Sequence, residues 1–313
     1  MRCLAPEEQD GYKSRFRVMN QRYTNFCITV LLLTSLFAPV ISRAQIDGKP
    51  GSHSTRPKGS MSPEARALVE EAIGIVCNEA KLDPKASMAI DEMQARPSLP
   101  VQTPEAKNGA ARAQRLLPTA KSLVVAALQQ LAKDYGLTGN RVLTVRIQQG
   151  IARVNAVKNV KPDMESRDNA SVFLSRPHTI TFGTIFLAGL RSDEGMISVL
   201  AHELMHIADG DRDSLRTLVS SVGSKAAALT GLDVHGQRSE ELTCDLIGAM
   251  AVKSYVEETP SYESIARRLS RSIEHNCVDL DEGDDDHLSP RSTLRALLAL
   301  NPALVQSLVN DQM

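Results

Sequence analysis

After 25 mostly polar residues the chain carries an apolar run from Phe26 to Ile41, interrupted by Thr29, Thr34, Ser35 and Pro39. That run is short for a membrane span, which needs roughly 20 residues. Residues 45–62, "QIDGKPGSHSTRPKGSMS", are poor in apolar positions and read as a flexible linker. Ser62 then sits where a helix cap belongs, with Pro63 at the first helical position. Ala67, Leu68, Ile73, Ile75 and Val76 form its apolar stripe. A shorter helix follows in "DPKASMAIDEMQARPSLP", stopped by Pro97. The pattern predicts a loop over 98–112, then a helix capped by Thr119 and closed by Gly136.

The periodicity then changes. In 141–159, Val142, Thr144 and Arg146 alternate with Leu143, Val145 and Ile147, which predicts a strand or hairpin. "HTITFGT" (178–184) predicts a second strand, and "IFLAGLRSDEG" a short helix. "MISVLAHELMHIADG" returns to helical spacing through Ile197, Leu200, Leu204 and Ile207. "RSEELTCDLIGAMAV" (238–252) is a further helix, and no internal repeat is visible. The pattern therefore predicts an α+β protein, mostly helical with a small sheet. Residues 1–44 form a leader, 45–62 a linker, 63–139 a helical N-terminal part and 140–313 the core.

Composition narrows the function classes. Hydrophobic residues make up 42%, charged residues 23%, and the net charge is −1, as in ordinary globular chains. No basic stripe points to nucleic acid. Aromatic residues are only 4%, with no Trp, which argues against a base-stacking surface.

The apolar run, preceded by Arg22 and followed by Ser42 and Ala44, has the build of a secretory signal peptide cleaved after Ala44. Met19 is then the expected start. An uncleaved N-terminal anchor is the alternative, and would be the only membrane contact. Either way the bulk of the chain is expected outside the cytoplasm, periplasmic or secreted in a bacterial envelope. Cleavage leaves Cys77, Cys244 and Cys277. An oxidising compartment permits a disulfide, expected between Cys77 and Cys277.

Candidate chemistry lies in "LAHELMHIADGD" (200–211). His202 and His206 stand four apart, separated by about 40° around a helix axis. Two imidazole nitrogens can then reach one Zn²⁺, with Glu203 beside them as general base. An isolated match of this kind arises by chance in roughly one chain in a hundred of this size. A third ligand must come from elsewhere. Asp209 and Arg212 stand where a metzincin carries Gly and His, which excludes that arrangement. About 20 residues downstream, where a thermolysin-like Glu belongs, "SVGSKAAALT" offers no acid. The remaining source is Glu241, with Asp245 four residues on, able to accept from a ligand imidazole and fix its tautomer. Glu240 reads as a solvated neighbour, and Cys244 as a small packing residue. His53, His178, His235 and His275 read as structural or surface residues. "DGDRD" (209–213) and "DLDEGDDD" (279–286) read as solvated loops rather than calcium loops, since neither has a closing Glu.

His202-Glu203-x-x-His206 followed by Glu241-x-x-Cys244-Asp245 resembles the HtpX-like and CAAX prenyl protease-like zinc metallopeptidases, which are gluzincins. The resemblance covers about 140–313, including "TITFGTIFLAGLRSDEGMISVLAHELMHI" and "HLSPRSTLRALLALNP" (287–302). It implies one zinc ion on His202, His206 and Glu241, Glu203 as base, and hydrolysis of peptide bonds in exported or envelope proteins. It further implies quality control as a role, and substrate added as a strand near 172–183. It also implies a wall residue that stabilises the oxyanion. Arg295, five residues after Pro290, keeps the family spacing for that wall residue, while His287 lies three before Pro290 rather than adjacent to it. Two other readings stay open: a non-proteolytic envelope chaperone or binding protein with structural zinc, and a zinc amidase.

Overall fold

The helices carry their own start signals. In the computed structural model, the Ser62 side chain accepts from Ala65 N–H, and Pro63–Leu82 (α1) runs on from it. The model describes residues 60–86, 90–167, 169–173, 175–210, 214–277 and 283–311. The leader, Met19, the cleavage site at Ala44 and most of the linker lie outside these residues, as do His53 and parts of both acidic runs. The described residues belong to one unit, Thr55–Met313, in which 63–139 shares a core with the rest. Among them no helix is long and apolar enough to cross a membrane.

After the short Ile90–Ala95 (α2), Pro104–Asp134 (α3) is one continuous helix with Pro118 inside it. The loop expected up to residue 112 and the cap expected at Thr119 are both corrected. Ala106, Gly109, Ala113, Leu116 and Leu117 are buried in line with Ala120, Leu123 and Val124. Burial along this stripe outweighs the one backbone donor that Pro118 lacks.

The strand expected from 141 is corrected too. Arg141–Ala156 (α4) is a helix, its first turn closed by Asn140 Oδ1 accepting from Leu143 N–H at 3.0 Å. Leu143, Ile147, Gly150 and Val154 face inward at helical spacing, while Val142 and Val145 are 63% and 51% exposed. Apolar residues on the solvent face produced the false alternation. Gly150 lets α4 lie against the next buried helix: a Cβ there would stand 2.8 Å from the Ala208 carbonyl oxygen.

The sheet comprises Asn159–Asp163 (β1), Ala170–Val172 (β2) and Thr179–Gly183 (β3), in the order β1-β3-β2. β1 runs parallel to β3 and β2 antiparallel to it. The short Thr184–Gly189 (α5) leads to Asp193–Asp209 (α6), which carries His202, Glu203 and His206. Ser192 caps α6 by accepting from Gly195 N–H at 3.0 Å. At its other end, Arg153 of α4 donates to the carbonyls of Ile207 (3.0 Å), Ala208 and Asp209 (3.2 Å), and to Ser214 Oγ at 2.7 Å. A cation on the last carbonyls of a helix satisfies orphan acceptors and opposes the negative end of its dipole.

Arg216–Thr230 (α7) leads to Gln237–Glu258 (α8), which packs lengthwise on α6. Gly248 makes this close pairing possible, since a Cβ there would lie 3.1 Å from Ser198 O. Ile265–Ile273 (α9) passes through a 3₁₀ turn, Glu274–Cys277, and Pro290–Leu300 (α10) and Pro302–Asn310 (α11) finish the described chain.

Two long-range ties hold the far ends together. Cys77 and Cys277 form the expected disulfide, with Cα atoms 5.4 Å apart, joining α1 to the 3₁₀ turn. The buried Arg271 of α9 pairs with Asp83 and Glu263, each at 2.6 Å, and lies 3.6 Å from Glu194 of α6. Arg268 meets Glu194 at 2.7 Å. Each buried cation therefore has the carboxylates that its desolvation demands.

Candidate metal centre

α6 and α8 bring His202, His206 and Glu241 together. The Nε2 atoms of the two histidines are 3.2 Å apart. Glu241 Oε2 lies 3.3 Å from His202 Nε2 and 3.4 Å from His206 Nε2. Three ligands on a tetrahedral ion, each about 2.0–2.1 Å from it, are separated by about 3.3–3.4 Å. The near-equilateral triangle of lone pairs therefore has the dimensions of one face of a tetrahedral site.

The outer nitrogens are held by separate acids. His202 Nδ1 meets Asp245 Oδ1 at 2.8 Å, as the spacing of α8 predicts. His206 Nδ1 meets Glu240 Oε1 at 3.1 Å. Glu240 is thus no solvated neighbour. Two imidazoles that converge through Nε2 leave two outer Nδ1 groups, and a single acid can serve only one.

Cys244 is also near. It is a buried free thiol, and the cluster of His202, His206 and Cys244 could hold a metal ion. Its Sγ stands 3.6 Å from His206 Nδ1, the nitrogen already facing Glu240. Glu241 instead faces both Nε2 atoms, so the convergent set is His202, His206 and Glu241. Burial pushes the Cys244 thiol pKa up, while the two histidines pull it down.

The electrostatics favour positive charge at the centre. Burial alone would lower the pKa of His202, yet Asp245 and Glu241 hold it well above the ordinary histidine value. His206 is raised in the same way, with Cys244, Glu240 and Glu241 outweighing burial. Burial pulls the Glu241 pKa upward, but hydrogen bonds from both histidines drive it below the usual carboxylate range.

Glu203 differs from its neighbours. It is buried in the wall of a cleft of about 650 Å³ beside His202. Burial raises its pKa, the two histidines oppose this, and Glu241 adds to it. A carboxylate raised in this way is better matched to taking a proton near neutral pH. Met93, Phe186, Leu190 and Val199 are among its apolar lining residues, and Asp245, Asp284 and His287 among its polar ones. His275, read from sequence as structural or surface, also lines it, its pKa lowered by burial.

Arg295 does not reach this cleft. Its Nε pairs with Glu70 Oε1 of α1 at 2.8 Å. Pro290 and Thr293 of α10 line the cleft, and Arg295 lies about 200° around the helix from Thr293. On the C-terminal side, His287 Nε2 stands 3.7 Å from Glu241 Oε2. Asp284 Oδ1 accepts from the His287 backbone N–H at 2.6 Å and steadies it.

The strand edge differs from expectation as well. β3 is flanked on both sides, and the cleft borders Asn169 and Ala170, where β2 begins. Gly183 N–H donates to Asn169 O at 2.7 Å. Antiparallel alternation then turns the backbone groups of Ala170 and Val172 away from β3, toward the open edge.

Comparison with family models, curated proteins and solved structures gives no match to this chain. Its fold and site stand on their own geometry.

Proposed function

We propose that the protein is a zinc-dependent endopeptidase acting on exported or envelope proteins. We place it among the gluzincins, near the HtpX-like and CAAX prenyl protease-like enzymes. The observation that carries this reading is the triangle of His202 Nε2, His206 Nε2 and Glu241 Oε2, with sides of 3.2, 3.3 and 3.4 Å. Two imidazoles and one carboxylate are a donor set suited to zinc.

His202, His206 and Glu241 would hold the ion, and Asp245 and Glu240 would keep each imidazole in the tautomer that leaves Nε2 free. Zinc bound there supplies Lewis-acid polarisation of a substrate carbonyl. Glu203 takes the proton of the attacking water and passes it to the departing amide nitrogen. The open edge of β2 offers backbone groups of Ala170 and Val172 to an extended peptide. His287 replaces Arg295 as the wall residue on the C-terminal side.

Metal content tests the ligand set. Zinc is expected at one equivalent in the wild-type chain and in Cys244→Ser, and well below that in Glu241→Gln. Retention of zinc in Glu241→Gln with loss in Cys244→Ser would move the third ligand to the thiol and refute the gluzincin reading.

A further inference from the structure

The peptidase reading uses the Nε2 atoms of both histidines and leaves their outer nitrogens in different company. His202 Nδ1 meets a carboxylate, Asp245. His206 Nδ1 meets a carboxylate and a thiol, with Glu240 Oε1 at 3.1 Å and Cys244 Sγ at 3.6 Å. Glu240 and Cys244 stand four apart on α8, about 40° around its axis, so one helix face brings both to the same nitrogen. Cys244 is a free cysteine, with no disulfide to occupy its sulfur.

The spacings are those of metal ligands. On a tetrahedral ion, a thiolate at about 2.3 Å and an imidazole nitrogen at about 2.0–2.1 Å stand about 3.5–3.6 Å apart. The Cys244 Sγ to His206 Nδ1 distance is 3.6 Å. A carboxylate oxygen at about 2.0–2.2 Å stands about 3.3–3.5 Å from the same nitrogen. Glu240 reaches that separation by a shift of a few tenths of an ångström. Its side chain is 33% exposed, which leaves the site open to an entering ion and to a water as fourth ligand.

We propose that His206 Nδ1, Cys244 Sγ and Glu240 Oε1 form a second metal site, which takes a divalent ion that accepts thiolate, zinc or cobalt, after the first site is filled. The second site rests on the reading of the first, because an ion at Nε2 favours loss of the Nδ1 proton. Binding releases two protons to solvent, one from the Cys244 thiol and one from His206 Nδ1. His206 then bridges the two ions as an imidazolate. The pair of ions stands against four anionic donors, Glu240, Glu241, the thiolate and the imidazolate, so no surplus positive charge is buried. The need to displace two protons makes this site the weaker of the two, so zinc stays at one equivalent until it is offered in excess.

Cobalt is the probe, because a thiolate bound to it gives a charge-transfer absorption that nitrogen and oxygen ligands do not. The protein carrying one equivalent of zinc is titrated with cobalt. The expected result is a thiolate band that saturates at one equivalent of cobalt while the zinc is retained. Cys244→Ser should show no band. Glu240→Gln, at equal zinc content, should need about tenfold more cobalt or beyond to reach it, with both variants folded by circular dichroism. Absence of the band in the wild-type protein, or equally tight cobalt binding by Cys244→Ser, would overturn the second site and leave the first standing. The metal-stripped protein separates the two readings: its first equivalent of cobalt should bind without the band. A band at that first equivalent would place the thiol in the first site and overturn both.

Discussion

At the residue scale, the centre depends on which nitrogen of each histidine is free. Asp245 and Glu240 settle this from the outer side, at 2.8 and 3.1 Å. Removing such a partner typically costs 10–100-fold in metal affinity. Asp245→Asn and Glu240→Gln are therefore each expected to weaken zinc binding by roughly that factor, measured by competition with a chromophoric chelator. If Glu240→Gln binds as tightly as wild type, its contact with His206 is incidental. His202, Glu203, His206, Glu241 and Asp245 were all legible in the chain, because a helix converts spacing into a shared face. Glu240 was not, since adjacent residues point about 100° apart and only the position of the partner helix shows that both reach the centre. Arg295 was misassigned for the reverse reason: spacing along α10 says nothing about which face meets α1.

At the element scale, α6 must be held rigid if its two histidines are to stay aligned. Arg153 does this from α4 by donating to the last carbonyls of α6. Arg153→Ala is expected to destabilise the protein by about 2 kcal/mol, since charge-assisted hydrogen bonds are lost and acceptors are left unpaired. Urea denaturation would measure it, and a change below about 0.5 kcal/mol, the scale of an ordinary surface substitution, would show that the contact does not support α6. This role could not be foreseen from the alternation in 141–159. Val142 and Val145 are apolar yet face solvent, so binary patterning alone could not separate a strand from a helix there. The continuous α3 was hidden for a related reason, as Pro118 reads locally as a break while the buried stripe on either side carries the helix through it.

At the scale of the whole molecule, α1 is fixed to the C-terminal elements by the disulfide and by the Arg271 cluster. The Cys77–Cys277 pairing was legible because the expected cleavage of the leader would leave three cysteines, one of them within the α8 motif. The bridge closes a separation of 200 residues; in the chain-entropy picture such a loop contributes about 5 kcal/mol. Reduction is expected to lower the urea midpoint sharply, and an unchanged midpoint would contradict this.

The Arg271 cluster makes an acid-sensitive contribution. Hydrogen bonds from Arg271 and Lys85 hold Glu263 at a pKa of about 2, below its ordinary value. A carboxylate with a depressed folded-state pKa stabilises fully above the unfolded value of about 4.3, and the gain fades as pH falls toward 2. Glu263→Gln is therefore expected to flatten the stability profile between about pH 5 and 2, read by urea titrations across that range. A parallel profile in both proteins would show that Glu263 is not coupled to folding. None of the partners of Arg271 lies near it in sequence except Glu263, so this tie becomes visible only once α1, α6 and α9 are packed.

All three scales converge on Glu203, the one acidic residue of the centre that is raised by burial and is not spent on a histidine. The most direct measurement is cleavage of an unfolded protein such as casein by the protein and its Glu203→Gln variant at equal zinc content. The account predicts that Glu203→Gln keeps its fold and zinc and loses cleavage by a factor of at least 10², the contribution expected of a positioned general base. Equal cleavage by the two proteins, or none by zinc-loaded wild type, would contradict it.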